Sequence, residues 1–442
     1  MVTGTGFDAW SLSDGRCVCG AVHHVPIERI VIDEQAHEQV AAFLQQRHRS
    51  RPFVIMDANT EEVAGSDVVD ELSRAGLHVT SFCFPERTGL LADERSVSRI
   101  EGALKQVETD SLLAVGSGVL TDLTRFVAHR LGMEFVSLPT AASMDGYASG
   151  VAAMEFGGMK TTYPAVTPVA IFVSPSTVAA APLDMTRAGL GDLLGKASAR
   201  TDWQASHELY GENLCLEVER RMTESFVDAA THVSEVLGGS PGTVSRLLRG
   251  LVESGIAMAM VGNSRPASGS EHHASHFWDL LAANHQRAHA PHGLQVGYAT
   301  QFTMRLQQYA FGGGIEELVL PRPLAPEGEE ARAFYVGHDE QVEAVLGGKR
   351  QFLAEHSSTW PKTPSDWESV RGLLGKTMEV FPLVAGALAV AGIPAEPGYL
   401  GFDTATLKTS FRWANLIRSR YTVLDFLEGQ GRLDEAIEAV FV

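Results

Sequence analysis

Short apolar runs alternate with longer amphipathic stretches over the first part of the chain. The apolar runs lie at 29–32, 53–56, 78–82, 112–115, 135–138 and 169–173. The intervening stretches, such as 34–47 and 122–131, carry apolar residues at helical spacing. Strands that alternate with helices in this way predict a parallel sheet with helices on both faces.

The pattern changes near residue 182. Beyond it β-rich alternation is nearly absent, and the clearest stretches with helical periodicity are 185–209, 214–237, 243–261 and 292–309. We therefore predict an α/β Rossmann-like domain over residues 1–182 and an all-helical domain over residues 183–442. The proline-rich segment 321–328 predicts a surface loop.

The charge and hydropathy of the chain narrow the class of protein. The 442 residues include 35 Lys and Arg against 54 Asp and Glu, so the formal net charge is −19. An acidic balance argues against a sequence-independent nucleic-acid binder and against docking on an anionic membrane. The longest apolar run, from Phe381 to Ile393, is shorter than the roughly 20 residues of a membrane span. The first ten residues lack the pattern of a signal peptide, so we expect a cytoplasmic protein.

The four cysteines are too few and too scattered for a disulfide framework. Cys17 and Cys19 form a C-x-C pair with no second pair elsewhere, and Cys83 and Cys215 stand alone. The sequence therefore predicts reduced thiols.

A glycine turn, Val115-Gly116-Ser117-Gly118-Val119-Leu120, follows one predicted strand and opens a predicted helix. Glycines let a backbone approach a ligand closely, and the N–H groups at a helix start attract phosphate. The turn lacks the third glycine of the six-residue dinucleotide fingerprint. By itself it is equally consistent with a plain tight turn.

A second segment, from Leu138 to Gly150, is rich in small and hydroxyl-bearing residues and also follows a predicted strand. In open α/β sheets, ligands lie outside the carboxyl ends of the strands, so this segment is a candidate for ligand binding. Asp145, beside a glycine, is either a ligand contact or a turn former.

Histidines concentrate in the predicted helical domain, in SRPASGSEHHASH (264–276) and PHG (291–293). His272 and His276 are four residues apart and therefore share a helical face. Imidazole is the commonest metal ligand, and an open zinc-type site needs three protein ligands. Asp192, in GLGDLLGK, is the candidate carboxylate, because an acid among apolar residues is costly to bury unless it is paired or bound to metal. The alternative is a solvated histidine cluster with Asp192 as a helix N-cap.

Taken in order, these motifs resemble those of the sn-glycerol-1-phosphate dehydrogenases, most closely the bacterial arabinose-operon branch. That family lies in the dehydroquinate synthase-like and iron-containing alcohol dehydrogenase superfamily. The resemblance spans residues 28–310 and returns at 417–422, and its specific part is the combination of PTAAS-x-D with SGSEH-x-x-SH. Residues 310–400 match nothing in the family pattern, and Ser117 stands where the family often has a third glycine.

The resemblance implies a role for each motif. Residues 116–120 would hold the pyrophosphate of a nicotinamide cofactor, and Asp57, after the second strand, would bind the adenosine ribose. The nicotinamide side would be lined by Thr140, Ala141, Ala142, Ser143 and Ser149. The metal ligands would be Asp192, His272 and His292. Asp145 and His276 would contact substrate, and Lys160 is a further candidate for its phosphate.

The implied reaction is the metal-dependent reduction of dihydroxyacetone phosphate to glycerol 1-phosphate by hydride transfer at C2. The cofactor would be NAD(H), with NADP(H) as a second candidate. No arginine closely follows Asp57 in the sequence, so its carboxylate would repel a 2′-phosphate and favour NAD(H). The resemblance implies one divalent metal, since zinc is usual in archaeal relatives and nickel is reported for the bacterial branch. A small phosphorylated substrate would be the partner, and a homodimer remains open.

Three other functions remain open at this stage. A cyclase of the dehydroquinate synthase type would need a more basic pocket, and lysines are scarce near the motifs. A glycerol or alcohol dehydrogenase would lack the phosphate site. A non-catalytic metal- or nucleotide-binding protein would not need the complete set of candidate ligands.

Overall fold

A computed structural model describes residues 17–285, 287, 289–320 and 329–441. The predicted loop at 321–328 and the first ten residues lie outside these ranges. The described residues form two compact units. Unit 1 runs as far as Leu193 and includes His232–Ser264, and unit 2 consists of Leu194–Thr231 and the residues from Arg265 onward. A domain boundary at 182/183 stays a prediction.

Unit 1 contains a six-stranded parallel sheet. Its strands are β1 (Arg29–Ile32), β2 (Pro52–Asp57), β3 (Thr80–Phe84), β4 (Ser111–Val115), β5 (Phe135–Leu138) and β8 (Ala170–Val173). They lie in the order β1-β8-β5-β4-β2-β3. A separate antiparallel hairpin, β6 (Val151–Phe156) and β7 (Met159–Pro164), was not predicted by the hydrophobic pattern.

Unit 1 also contains helices. They are α1 (Glu38–Gln46), α2 (Ala58–Thr60), α3 (Ser66–Arg74), α4 (Glu94–Leu104), α5 (Gly118–Leu131), α6 (Pro175–Ala179), α7 (Leu183–Leu194, whose last residue belongs to unit 2), α10 (Val233–Leu237) and α11 (Pro241–Val261). The two helices between α7 and α10 in the chain belong to unit 2. A π-helical turn, Glu61–Gly65, joins α2 to α3.

Both faces of the sheet are covered, because successive residues of its strands point to opposite sides. Val54 and Val115 pack in one apolar cluster with residues of α1 and α3. Phe53 and Ala114, one position away on the same strands, pack in the other cluster with residues of α4 and α5. The predicted α/β arrangement is therefore confirmed, and the strands present their carboxyl ends at a common edge.

The described part of unit 2 contains helices and no strand, which confirms the prediction of an all-helical C-terminal region. The helices are α8 (Lys196–Tyr210), α9 (Leu216–Thr231), α12 (Ser270–Asn284), α13 (His292–Gly312), α14 (Glu329–Phe334), α15 (Asp339–His356), α16 (Pro364–Met378), α17 (Phe381–Val390), α18 (Thr404–Trp413), α19 (Val423–Gly429) and α20 (Leu433–Val440).

One helical stretch of the described residues, Pro364–Val390, is long and apolar enough to cross a membrane by length and composition. Its most apolar window has a mean hydropathy of 1.5, and 39% of that window is buried. Trp367 and Leu374 are among its buried residues. Core helices of globular proteins pass the same test, so a single stretch of this kind is weak evidence for a membrane span.

Candidate active site and metal centre

The order of the strands creates a crevice between the carboxyl ends of β2 and β4. From β2 the chain continues to β3 at one edge of the sheet, whereas from β4 it continues to β5 on the opposite side. Connections that diverge in this way leave a cleft where ligands of open α/β sheets bind. The glycine turn and Asp57 both lie at this edge, as the sequence predicted.

The glycine turn leads directly into α5. Ser117 is the N-cap residue, but its side chain makes no capping hydrogen bond, and the first turn contains no acidic residue. A Cβ on Gly116 would overlap the side chain of Leu120, and one on Gly118 would lie 3.3 Å from Met144 Cγ. The start of α5 therefore keeps the positive end of its dipole and a closely packed glycine backbone, which together suit a pyrophosphate.

Asp57 is the N-cap of α2. Its Oδ1 accepts hydrogen bonds from the backbone N–H of Asn59 at 3.0 Å and of Thr60 at 2.8 Å. The Thr60 hydroxyl accepts in turn from the Asp57 backbone N–H. The capping role is thus present in the structure, and a ribose contact by the same carboxylate stays a prediction.

An arginine that the sequence reasoning missed lies close to Asp57. Arg87, in the loop after β3, donates to the Asn59 side chain at 3.2 Å, and its backbone carbonyl accepts from Asn59 Nδ2 at 2.7 Å. The hydrogen bond and charge of Glu62 raise the pKa of Arg87, and Asp57 adds a smaller effect. Although no arginine closely follows Asp57 in the sequence, Arg87 therefore lies near it in the fold.

The segment after β5 is mostly buried and internally hydrogen bonded. The hydroxyl groups of Ser117 and Ser143 are hydrogen bonded to each other, so the segment is joined to the glycine turn. Tyr147 OH donates to the carbonyl of Ala141. Ser149 Oγ accepts from the backbone N–H of Val151 at 3.1 Å. Three further predicted residues of this segment, Thr140, Ala141 and Ala142, are also buried.

Asp145 and Asp192 are connected within unit 1. The backbone N–H of Asp145 donates to Asp192 Oδ2 at 2.9 Å, and the Ser254 hydroxyl donates to Asp145 Oδ2 at 2.9 Å. Both carboxylates are buried. Gly189, one turn before Asp192 on α7, allows this approach, because a Cβ there would overlap the carbonyl of Ala142. Asp192 lies within α7 rather than at its N-cap, which removes the capping alternative.

Lys160 lies on β7, opposite Glu155 in the hairpin. Burial raises the pKa of Asp122, on α5, to about 6, and the charges of Arg125 and Lys160 oppose that rise. Lys160 therefore lies within electrostatic reach of the α5 helix that carries the glycine turn. This arrangement does not test the predicted contact between Lys160 and the substrate phosphate.

In unit 2 three histidine rings form one cluster. Ring centroids are 5.2 Å apart for His272 and His292, 5.7 Å for His276 and His292, and 6.3 Å for His272 and His276. The candidate ligand nitrogens of His272 and His292 lie within 4.8 Å of each other. The i, i+4 spacing on α12 and the first residue of α13 bring these rings together.

The polar neighbours of the cluster fit a metal-binding role. His272 Nδ1 lies 2.8 Å from Glu271 Oε1, and His292 Nδ1 lies 3.3 Å from the Ser275 hydroxyl. Ligating histidines usually make a hydrogen bond at one ring nitrogen and bind the metal through the other. Burial holds the pKa of His272 well below its usual value, so the ring is neutral, as a ligand must be. The donor set therefore fits a divalent metal.

Two half-buried arginines, which the sequence reasoning missed, border the histidine cluster in unit 2. Arg418 donates to His276 Nε2 at 2.8 Å and to the Ser268 hydroxyl at 2.9 Å. Arg420 donates to the Ser268 carbonyl. Burial lowers the pKa of Arg418 to about 10. Burial, with the neighbouring charges of Arg265 and Arg418, lowers the pKa of Arg420 to about 9. A concentration of half-buried positive charge of this kind favours an anionic ligand.

The predicted site residues thus fall into two groups. Unit 1 holds the glycine turn, Asp57, the segment after β5 and Asp192, and unit 2 holds the three histidines. The sequence already marked the segment that contains Arg418 and Arg420, because residues 417–422 matched the family pattern. No role was assigned to the two arginines. A ligand set that joins Asp192 to His272 and His292 stays a prediction.

Comparison with solved structures defines the fold. The chain is similar to an iron-containing alcohol dehydrogenase from Thermococcus thioreducens, with a TM-score of 0.60, 14% identity, and coverage of 95% of this chain and 99% of that chain. An alcohol dehydrogenase from Oenococcus oeni gives a TM-score of 0.59 at 12% identity and covers 90% and 97% of the two chains. The family model for iron-containing alcohol dehydrogenase matches residues 31–182. The fold is that of the iron-containing alcohol dehydrogenases.

Curated relatives give the more specific assignment. The glycerol-1-phosphate dehydrogenase [NAD(P)+] of Bacillus subtilis is 33% identical over 402 residues, covering 90% of this chain and 91% of the relative. That of Geobacillus thermodenitrificans is 32% identical over 411 residues, covering 92% and 94%. That of Pyrococcus furiosus is 31% identical over 291 residues, covering 66% and 79%. The chain belongs to the glycerol-1-phosphate dehydrogenase family, as the motifs predicted.

Proposed function

We propose that this protein reduces dihydroxyacetone phosphate to sn-glycerol 1-phosphate with a nicotinamide cofactor and a divalent metal. The observation that carries the proposal is the contact between half-buried Arg418 and His276 in unit 2. It places a phosphate-binding type of side chain directly beside a candidate acid–base residue. Glycerol and simple alcohols carry no charge that would need Arg418 and Arg420, so the arginines favour a phosphorylated substrate.

The proposed metal ligands are Asp192, His272 and His292. The hydrogen bonds of His272 to Glu271 and of His292 to Ser275 support this set, since they fix the tautomer of each ring. Zinc and nickel both accept two imidazoles and a carboxylate, and we propose one of them. When bound, the metal supplies a Lewis acid for the C2 oxygen and the nicotinamide supplies the hydride.

The proposed cofactor is NAD(H), with NADP(H) also accepted. The uncapped first turn of α5, from Gly118 to Leu120, would bind the pyrophosphate, and Ser143 would border the nicotinamide. Asp57 would accept hydrogen bonds from the adenosine ribose. Arg87 beside it would offset part of the repulsion between that carboxylate and a 2′-phosphate.

The protein's own residues bind and orient the substrate. Arg418 and Arg420 would hold the phosphate, with Lys160 as a further candidate. Asp145, oriented by Ser254, would accept a hydrogen bond from a substrate hydroxyl. Because Arg418 donates to Nε2 of His276, the neutral ring carries its proton on Nδ1, and this N–H would donate a hydrogen bond to the C2 oxygen.

Cytoplasmic location and assembly as a homodimer are part of the proposal. None of the four cysteines forms a disulfide, which fits a reducing compartment. Size-exclusion chromatography with light scattering would measure the assembly.

The test is turnover of dihydroxyacetone phosphate with NADH, together with metal analysis of variants. Asp192→Asn and His272→Ala should lose both bound metal and activity, whereas His285→Ala, an exposed histidine at the end of the same helix α12, should keep both. His276→Ala should keep the metal but lose about 100- to 10,000-fold in kcat.

Three results would contradict the proposal. Turnover of glycerol without turnover of dihydroxyacetone phosphate would indicate a glycerol dehydrogenase. A product that is sn-glycerol 3-phosphate would overturn the stereochemistry. Full activity in metal-free Asp192→Asn protein would remove the metal centre.

A further inference from the structure

The first described residues form a tight turn that brings two thiols and an imidazole together. The candidate ligand atoms of Cys17, Cys19 and His23 lie within 4.8 Å of one another. The turn is closed by hydrogen bonds from the N–H of Gly20 to the Cys17 carbonyl at 2.9 Å and from the N–H of Cys17 to the Ala21 carbonyl at 3.0 Å. Gly20 has φ of +82°, a left-handed conformation that favours glycine.

The orientation of His23 is that of a metal ligand. Its Nδ1 lies 2.6 Å from the Met260 carbonyl, so Nδ1–H donates to the backbone. The other ring nitrogen, Nε2, lies 3.3 Å from Cys19 Sγ. A sulfur and a nitrogen bound to the same tetrahedral zinc would be about 3.6 Å apart, given Zn–S and Zn–N bonds of about 2.3 and 2.0 Å. A backbone carbonyl on the second ring nitrogen is the usual support for a ligating histidine.

We propose that Cys17, Cys19 and His23 bind a structural zinc ion, distinct from the metal of the proposed catalytic centre. Thiolate and imidazole donors select zinc among the common divalent ions, and paired cysteines in a protein without a disulfide framework are typical of metal binding. Structural zinc takes four protein ligands. The turn supplies three of them, Cys17, Cys19 and His23.

The site has a structural consequence within unit 1. Met260 lies in the last turn of α11, so the bond from His23 ties the zinc-binding turn to the end of that helix. The same helix carries Ser254, which orients Asp145. Zinc would therefore hold the first described segment against the helix that supports a predicted substrate contact.

Metal content of the full-length protein tests the proposal. Protein produced with added zinc is dialysed and analysed for metal, with each variant compared to its parent. Cys17→Ser, Cys19→Ser and His23→Ala should each lose about one zinc ion per chain. Cys83→Ser, a partly buried cysteine of the same unit, and His24→Ala, the exposed neighbour of His23, should lose none.

A second measurement uses the unmodified protein, so it does not depend on how the variants fold. Alkylation followed by mass spectrometry should find Cys17 and Cys19 protected until a chelator removes zinc. Full zinc content in a Cys17→Ser/Cys19→Ser double variant would overturn the proposal. So would a Cys17–Cys19 disulfide in protein kept under reducing conditions. Since His272→Ala removes only the proposed catalytic metal, retention of zinc in that variant keeps the two metal proposals separate.

Discussion

Gly255, in the middle of α11, is the position where one methyl group should most clearly affect both stability and activity. A Cβ at Gly255 would lie 2.8 Å from both the Cβ and the backbone nitrogen of Ala148, and 2.9 Å from its Cα. Ordinary contacts begin at 3.4 Å, so the overlap is about 0.6 Å and two of its three partners are backbone atoms. Neither can move by rotating a side chain, and α11 or the turn at Ala148 must shift.

The net effect of Gly255→Ala follows from two opposing terms. Overpacking of this kind costs about 1–3 kcal/mol, whereas replacing glycine by alanine inside a helix contributes up to about 1 kcal/mol. We expect a net loss of about 1–2 kcal/mol in the free energy of unfolding, or about 2–8 °C in unfolding temperature for a unit of this size. The shift would also disturb the bond from Ser254 to Asp145, so kcat should fall, since misplacement by about 1 Å can cost about 100-fold.

Gly242→Ala is the matched control on the same helix. A Cβ at Gly242 would have nothing within 4 Å, so alanine there should be neutral or stabilising by about 0.4–1 kcal/mol. Urea unfolding at equal m value and steady-state kinetics measure the two effects. If Gly255→Ala is as stable as the parent protein, the steric reasoning is wrong. Reduced stability with unchanged kcat would refute the link to Asp145.

Three further predictions concern charge. Arg420→Met should raise KM for dihydroxyacetone phosphate by about 30-fold or more, the equivalent of about 2 kcal/mol. Arg305→Met, on the exposed face of α13, should leave KM unchanged. Equal KM values for Arg420→Met and the parent protein would exclude a phosphate contact. Arg87→Met should lower kcat/KM for NADPH about 5- to 10-fold relative to NADH, and an unchanged ratio would contradict its role beside the ribose. Glu134→Gln should destabilise the protein at neutral pH, because burial raises the pKa of Glu134 but the hydrogen bonds and charges of its arginine partners, led by Arg47, lower it more. A folded-state pKa below the unfolded value of about 4.3 gives stability that is present above that value and lost as pH falls through the folded pKa. The difference in stability between Glu134→Gln and the parent protein, measured by urea unfolding, should therefore shrink between about pH 5 and 3. A difference that does not depend on pH would refute this explanation.

The sheet could be predicted from sequence because each parallel strand is buried on both faces. Runs such as Phe53–Met56 and Leu112–Val115 are continuously apolar for this reason, and their pattern is local. The β6–β7 hairpin was missed because it is only partly buried and β7 includes polar residues such as Lys160 and Thr161. In the helical region, the stretch 185–209 predicted helix correctly but not the break at Gly195 between α7 and α8.

The sequence by itself determined which chemical groups this protein has: a glycine turn after a strand, a carboxylate in α7, and histidines one helical turn apart on α12. Those signals are local, since spacing along a strand or helix sets which side chains share a face. Only the tertiary structure decided which distant residues join them. Arg418 reaches His276 from 142 positions away, Arg87 reaches Asn59 across two strand ends, and His23 reaches Met260 at the end of α11. Contacts of this kind depend on how elements pack, and no periodicity in the sequence records that packing.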